Sequence, residues 1–112
     1  MKKSSIITWI IIFAVILISF YALNKNGKNQ DNELAKCIAS KSALYTQTGC
    51  FACQKQESLF GDTYKNLNVI NCAMAGNICL NEDITATPTW IINGEKYVGV
   101  QTIEKLKELT NC

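Results

Sequence analysis

The 112-residue sequence has no histidine, no arginine and a single proline. Without histidine there is no Ser-His-Asp or Cys-His catalytic pair and no mixed Cys/His zinc site. Without arginine, and with a formal net charge of only +2, the electrostatic footprint of a nucleic-acid binder is missing, so no nucleic-acid partner is expected. The length leaves room for one folded domain. Two features are abundant instead. There are six cysteines, all after residue 36, and there is one long apolar run. Charge is unevenly placed: Lys2, Lys3, Lys25 and Lys28 precede residue 31, so residues 31–112 carry 7 lysines against 9 acids, a net of −2.

Met1-Lys2-Lys3 is followed by an uncharged apolar run from Ile6 to Leu23. Its 18 residues are just enough to cross a bilayer. A cleaved signal peptide has a shorter apolar region and a small-residue cleavage site, which Phe20-Tyr21-Ala22-Leu23 does not provide. Residues 1–23 are therefore expected to be a cytoplasmic stub and retained transmembrane signal anchor. Charge alone leaves the topology open, with lysines on both sides. The cysteines argue for an oxidising compartment, which puts the N-terminus in the cytoplasm and the remainder outside the cell membrane. Residues 24–32 hold no apolar side chain and read as a flexible polar tether.

Residues 33–112 then form the folded domain. Asp31 or Asn32 can cap a helix carrying Leu34, Cys37 and Ile38 on one face. Ala43–Thr46 reads as a strand, and a helix is expected from near Cys50 to Phe60, with Gly61 ending it in the left-handed conformation. Leu67–Asn71 reads as a strand and Ile78–Asp83 as a helical turn or two. Asn93-Gly94 between two β-prone runs marks a type I′ hairpin. Thr102 can cap a last helix with Ile103, Leu106 and Leu109 inward. The expected order is α-β-α-β-α-β-β-α, an α/β domain behind one transmembrane helix.

Cys50-Phe51-Ala52-Cys53 lies between a strand and a helix. A thiolate in the first turn of a helix meets unpaired N–H groups and the positive end of the helix dipole. Both favour the thiolate, the form that attacks a disulfide. A second cysteine three residues on lies one turn away and can close a ring with the first. Cys50 is thus the candidate nucleophile and Cys53 the resolving thiol. The single proline, Pro88, opens a strand in Thr87-Pro88-Thr89, where its missing N–H leaves the preceding backbone free for another partner.

Residues 33–112 resemble a thioredoxin-like fold. More narrowly, they resemble the thioredoxin-like, DsbA-like domains fused to or partnered with bacterial and archaeal homologues of vitamin K epoxide reductase. The resemblance is carried by Leu34-Ala35-Lys36-Cys37, Cys53-Gln54-Lys55-Gln56-Glu57, Leu59-Phe60-Gly61, the Cys72 and Cys79 pair, Pro88-Thr89-Trp90 and Gly99-Val100-Gln101. It implies a cis-proline at Pro88 facing the cysteines, Thr87 against the substrate, and a membrane quinone reductase of the vitamin K epoxide reductase kind as electron acceptor. The family usually has Cys-Pro-His-Cys after an aromatic residue. Here both middle residues differ and Gly49 precedes the motif, so the pair is expected to be less oxidising than the family's.

The remaining cysteines admit several readings. Cys50, Cys53, Cys72 and Cys79 can be read as a Cys₄ zinc site, although the second spacing is wrong for a zinc knuckle and no metal is expected. Cys72 and Cys79 suit an auxiliary structural disulfide, with a relay to Cys50 and Cys53 as the alternative. Cys37 and Cys112 can pair, or Cys112 can stand as a free thiol; six cysteines allow 15 arrangements. Trp90 and Tyr97 read as hairpin packing. Phe51, between the reactive cysteines, is an expected client contact. These readings predict a membrane-anchored protein disulfide oxidoreductase that oxidises client protein thiols by sulfur exchange, with no cofactor. The alternatives are a reductase or isomerase running the same chemistry in reverse, and a stapled adaptor without turnover.

Overall fold

The computed structural model describes residues 2–112, the side chains of Asn26, Lys28 and Asn29 apart. Met1–Asp31 and Asn32–Cys112 form two separate units. The described residues of the first belong to helix α1, Lys2–Lys41, the one described helix long and apolar enough to cross a membrane. Its large apolar side chains from Ile6 to Leu23 are exposed along the helix, with Trp9 and Tyr21 each 71% exposed.

The flexible tether expected at 24–32 is helical instead, because α1 continues through it without a break. Asn and Gly are weak helix formers, at a cost of roughly 0.5–1 kcal/mol each against alanine. The segment contains no proline, and a helix already nucleated on either side propagates through such residues one hydrogen bond at a time. The capping role expected of Asp31 or Asn32 falls with the tether. The Asn32 side chain accepts a 3.0 Å hydrogen bond from Asn66 Nδ2 instead.

The second unit is built on a four-stranded sheet: β1 (Ser42–Thr46), β2 (Val69–Asn71), β3 (Thr89–Ile92) and β4 (Glu95–Val98), in the order β2-β1-β3-β4. β1 and β2 are parallel, joined through α2 (Phe51–Phe60) and a 3₁₀ helix (Gly61–Asn66). β3 runs antiparallel to β1 and to β4. Short helices α3 (Gly76–Asn81) and α4 (Ile103–Thr110) complete the expected order. The hairpin forms at Asn93-Gly94, with φ of 52° and 80°, the two positive values a type I′ turn needs. Thr102 Oγ1 caps α4 by accepting from Lys105 N–H at 3.2 Å. One detail differs at the end of α2. Gly61 has φ 54° but ψ −129°, outside the left-handed helical region, and the chain runs on into the 3₁₀ helix.

Ile38, Leu44, Trp90, Ile92 and Leu106 form the fully buried centre of the core. Fully burying such side chains contributes roughly 1.5–3 kcal/mol each. Because β1 and β2 are parallel and β3 antiparallel to them, three chain segments converge at one end of the sheet: the turn after β1, the segment after β2 and the entry to β3. The cysteine motif and the lone proline meet there.

Candidate redox site

β1 ends at Thr46, and the turn through Gln47, Thr48 and Gly49 delivers Cys50 to the N-cap of α2. Gly49 has φ +82°, yet an added Cβ would meet no atom within 4 Å. Backbone conformation, not space, therefore favours glycine here. Cys50 is half-buried with an extended backbone, and its sulfur accepts from Cys53 N–H at 3.1 Å, in the manner of a capping oxygen. Cys53, one turn into α2, is buried. The two are joined in a disulfide with their Cα atoms 5.2 Å apart.

The facing wall is the entry to β3. Thr87-Pro88 is cis, and Pro88 is fully buried, its carbonyl accepting from Gly99 N–H at 2.8 Å. Thr87 Oγ1 donates to Cys50 Sγ at 3.5 Å, and the Thr87 carbonyl oxygen lies 3.5 Å from the same sulfur. Cys50 sulfur thus has two donors, Cys53 N–H and Thr87 O–H, both placed to stabilise negative charge when the pair is reduced. The sequence points to Thr87 only as a substrate contact; its hydroxyl on the sulfur is a tertiary relationship. Phe51 is 87% exposed beside the disulfide.

Gln56 is a component that the sequence analysis did not single out. It is fully buried on α2, three residues beyond Cys53. Its Oε1 accepts from Trp90 Nε1 at 3.0 Å and from Gln101 N–H at 2.7 Å, while its Nε2 donates to Gln101 O at 3.0 Å. One side chain therefore ties the cysteine-bearing helix to β3 and to the turn after β4. A glutamine in that stretch reads in sequence as one more polar surface residue.

Cys50 and Cys53 also border a groove of about 300 Å³, walled by Gln47, Thr48, Gln54, Glu57, Tyr64 and Asn71. Burial first, and the Glu57 charge second, hold the Tyr64 phenol above its ordinary value.

The other four cysteines are paired as well. Cys72–Cys79 closes the segment after β2, and Cys37–Cys112 ties the end of α1 to the C-terminus. Cys37 and Cys112, whose pairing the sequence leaves open, are bonded to each other in this structure. Lys41 Nζ reinforces that strap with a 2.9 Å bond to Thr110 O. Each pair closes on itself, so the four cysteines of the zinc reading do not converge as thiolates. Trp90 and Tyr97 sit opposite each other in the hairpin register, with Trp90 buried against Phe60 at a ring-centroid distance of 6.1 Å.

A disulfide closed across a C-x-x-C at a helix N-terminus, faced by a cis-proline turn on a β2-β1-β3-β4 sheet, is a thioredoxin-like arrangement whose chemistry suits thiol–disulfide exchange. No family model matches the chain. Among solved structures, the chain is similar to the oxidised thioredoxin from Plasmodium falciparum, at 18% identity over 70% of this chain and 88% of that one, with a TM-score of 0.47. It is similar to the thioredoxin-like protein BC3987, at 29% identity over 62% of this chain and 99% of that one, TM-score 0.42. It is also similar to the NTD_N/C domain of the alkylhydroperoxide reductase AhpF from Enterococcus faecalis, at 16% identity over 69% of this chain and 42% of that one, TM-score 0.45.

Proposed function

We propose that this chain is a membrane-anchored oxidase of client protein thiols, working on the outer face of the cell membrane. The observation that carries the reading is the Cys50–Cys53 disulfide at the N-terminus of α2, with Thr87 and Pro88 against it. A client thiolate attacks Cys50, and the Cys50–Cys53 bond breaks. The Cys53 sulfur leaves with the electron pair and takes up a proton. A second client thiolate then attacks the client's own sulfur in the mixed disulfide. The client leaves with a disulfide, and Cys50 and Cys53 hold the two electrons and two protons as thiols. Thr87 and Pro88 orient the incoming segment, and exposed Phe51 contacts it.

Reoxidation falls to a membrane quinone reductase of the vitamin K epoxide reductase kind. That partner rests on the sequence resemblance. The apolar run in α1 supports membrane anchoring, and three disulfides in one short domain suit an oxidising compartment. The test is reconstitution. The full chain, a homologue of vitamin K epoxide reductase and a quinone are placed in one vesicle with a reduced, unfolded client. Client disulfides should form catalytically and stop when either membrane component is omitted.

A reductase or isomerase is the second reading, favoured by the missing histidine between Cys50 and Cys53. It predicts turnover of insulin disulfides in the presence of a dithiol donor and no dependence on quinone. A stapled adaptor predicts no turnover in either assay.

A further inference from the structure

The groove beside Cys50 and Cys53 has an unusual chemical make-up. Its side-chain walls combine amides and hydroxyls from Gln47, Thr48, Gln54 and Asn71 with the apolar Val69 and the Tyr64 ring, and Glu57 is the single ionised group. No lysine lines it. Glu57 lies on α2 one turn beyond Cys53, so the two share a helix face. The one ion pair among the described residues is Lys36–Glu33, which leaves the Glu57 carboxylate without a cation. Part of the amide capacity is already used, since Asn71 Nδ2 donates to Thr48 Oγ1 at 3.0 Å and Asn71 Oδ1 accepts from Ala73 N–H at 2.9 Å. The groove thus presents mostly exposed polar side chains beside an apolar Val69 and an aromatic ring, with one negative charge that has no cation among the described residues, all bordering the reactive disulfide.

We propose that this groove binds a cationic side chain of the client, a lysine or arginine flanking the client's reacting cysteine. An ammonium or guanidinium placed there gains the Glu57 carboxylate and the Tyr64 ring together, two interactions that favour the same charge. The amide and hydroxyl oxygens of the walls accept its remaining N–H donors. Its distance from Cys50 is fixed by the turn through Gly49, so it reads a residue close to the reacting cysteine in the client. An anionic thiol such as glutathione finds no cation in the groove and is disfavoured. The inference deepens the client-oxidation reading and rests on it for biological meaning, while the binding itself is independent of turnover.

The experiment uses the full-length oxidised protein in detergent micelles and two unreactive peptides, each with serine in place of cysteine. One carries lysine and the other glutamate on both sides of that serine. The lysine peptide should bind about tenfold more tightly, as expected for one partly exposed ion pair acting with a cation–aromatic contact. The preference should vanish in Glu57→Gln, reverse in Glu57→Lys and weaken with salt. Equal binding of the two peptides, or a preference that survives Glu57→Gln, overturns the proposal. The cysteine versions of the same peptides separate the two readings. Tight binding of the lysine peptide without oxidation of either cysteine peptide would sink the oxidase reading and leave the groove standing. Oxidation at equal rates, with equal binding, would do the reverse.

Discussion

The Thr87 hydroxyl donates to Cys50 Sγ at 3.5 Å, across 37 residues of sequence. With Cys53 N–H at 3.1 Å on the same sulfur, it gives Cys50 a second neutral donor. When the pair is reduced, the donor favours the Cys50 thiolate and so the reduced form. Thr87→Val removes the hydroxyl with little change of shape. The expected outcome is a Cys50 thiol that ionises at higher pH and a reduction potential about 20–30 mV more negative, the equivalent of roughly one modest hydrogen bond to a charge. Thr87→Ser should restore both. Alkylation rate against pH and equilibration with glutathione buffers read the two quantities; unchanged values in Thr87→Val would remove Thr87 from the thiolate's environment.

Cys50 is half-buried at the N-cap, whereas Cys53 is only 6% exposed. A client sulfur therefore reaches Cys50 first. Cys53→Ser should accumulate mixed disulfides through Cys50, visible on non-reducing gels and lost on adding a dithiol. Cys50→Ser should accumulate almost none. The opposite pattern would reverse the two roles.

Gln56 offers a stability test near the site. Its side chain satisfies Trp90 Nε1–H, the Gln101 N–H and the Gln101 carbonyl at once. Gln56→Leu keeps the approximate volume but strands all three, and each stranded buried group costs roughly 1–3 kcal/mol. A loss of about 3 kcal/mol is expected in denaturant titrations followed by Trp90 fluorescence in a Trp9→Phe background. A loss below about 0.5 kcal/mol would mean that water replaces the glutamine fully.

Some of this arrangement was legible in the sequence because the chemistry is local. Asn93-Gly94 announces its hairpin through the positive φ that both residues tolerate, and Thr102 announces a helix start through a cap three residues away. Cys50 and Cys53 are readable because the functional pair lies within a single turn. The tether was misread for a related reason. Asn24 to Asn32 is poor in helix formers, but its conformation follows from the helical segments on either side rather than from its own propensities. Gln56 was invisible because its partners lie 34 and 45 residues away, and a glutamine carries no mark of burial. The pairing of Cys37 with Cys112 depends on where α1 and the C-terminus meet, which no spacing rule encodes.

The two outer disulfides should separate by loop length. Cys37–Cys112 closes 75 residues and Cys72–Cys79 only 7. In the chain-entropy description, the longer closure contributes about 4 kcal/mol and the shorter about 2–3 kcal/mol. Cys37→Ser/Cys112→Ser should therefore lower the denaturation midpoint more than Cys72→Ser/Cys79→Ser, while oxidation of a reduced client persists in both. If Cys72→Ser/Cys79→Ser kept its stability and lost activity, the pair would be a relay for Cys50 and Cys53 rather than a staple.

The redox poise of Cys50–Cys53 decides between the oxidase and its reverse. A strongly oxidising pair needs a strongly stabilised thiolate, because stabilising the reduced form raises the potential. Here the stabilising groups are the N-terminal N–H groups of α2, the Cys53 N–H and the Thr87 hydroxyl, with no positive charge between the cysteines. Neutral donors are weaker than an adjacent cation, so the pair should fall short of the strongest oxidants at about −120 mV. Two donors and a helix terminus should nevertheless keep it above thioredoxin at about −270 mV. We expect a value of about −150 to −230 mV on equilibrating the full-length protein with glutathione buffers. Within that window the disulfide can accept electrons from most client thiols and pass them to a quinone-linked acceptor. A value at or below about −270 mV would instead make the disulfide the stable form and the reduced pair a strong electron donor, which favours the reductase.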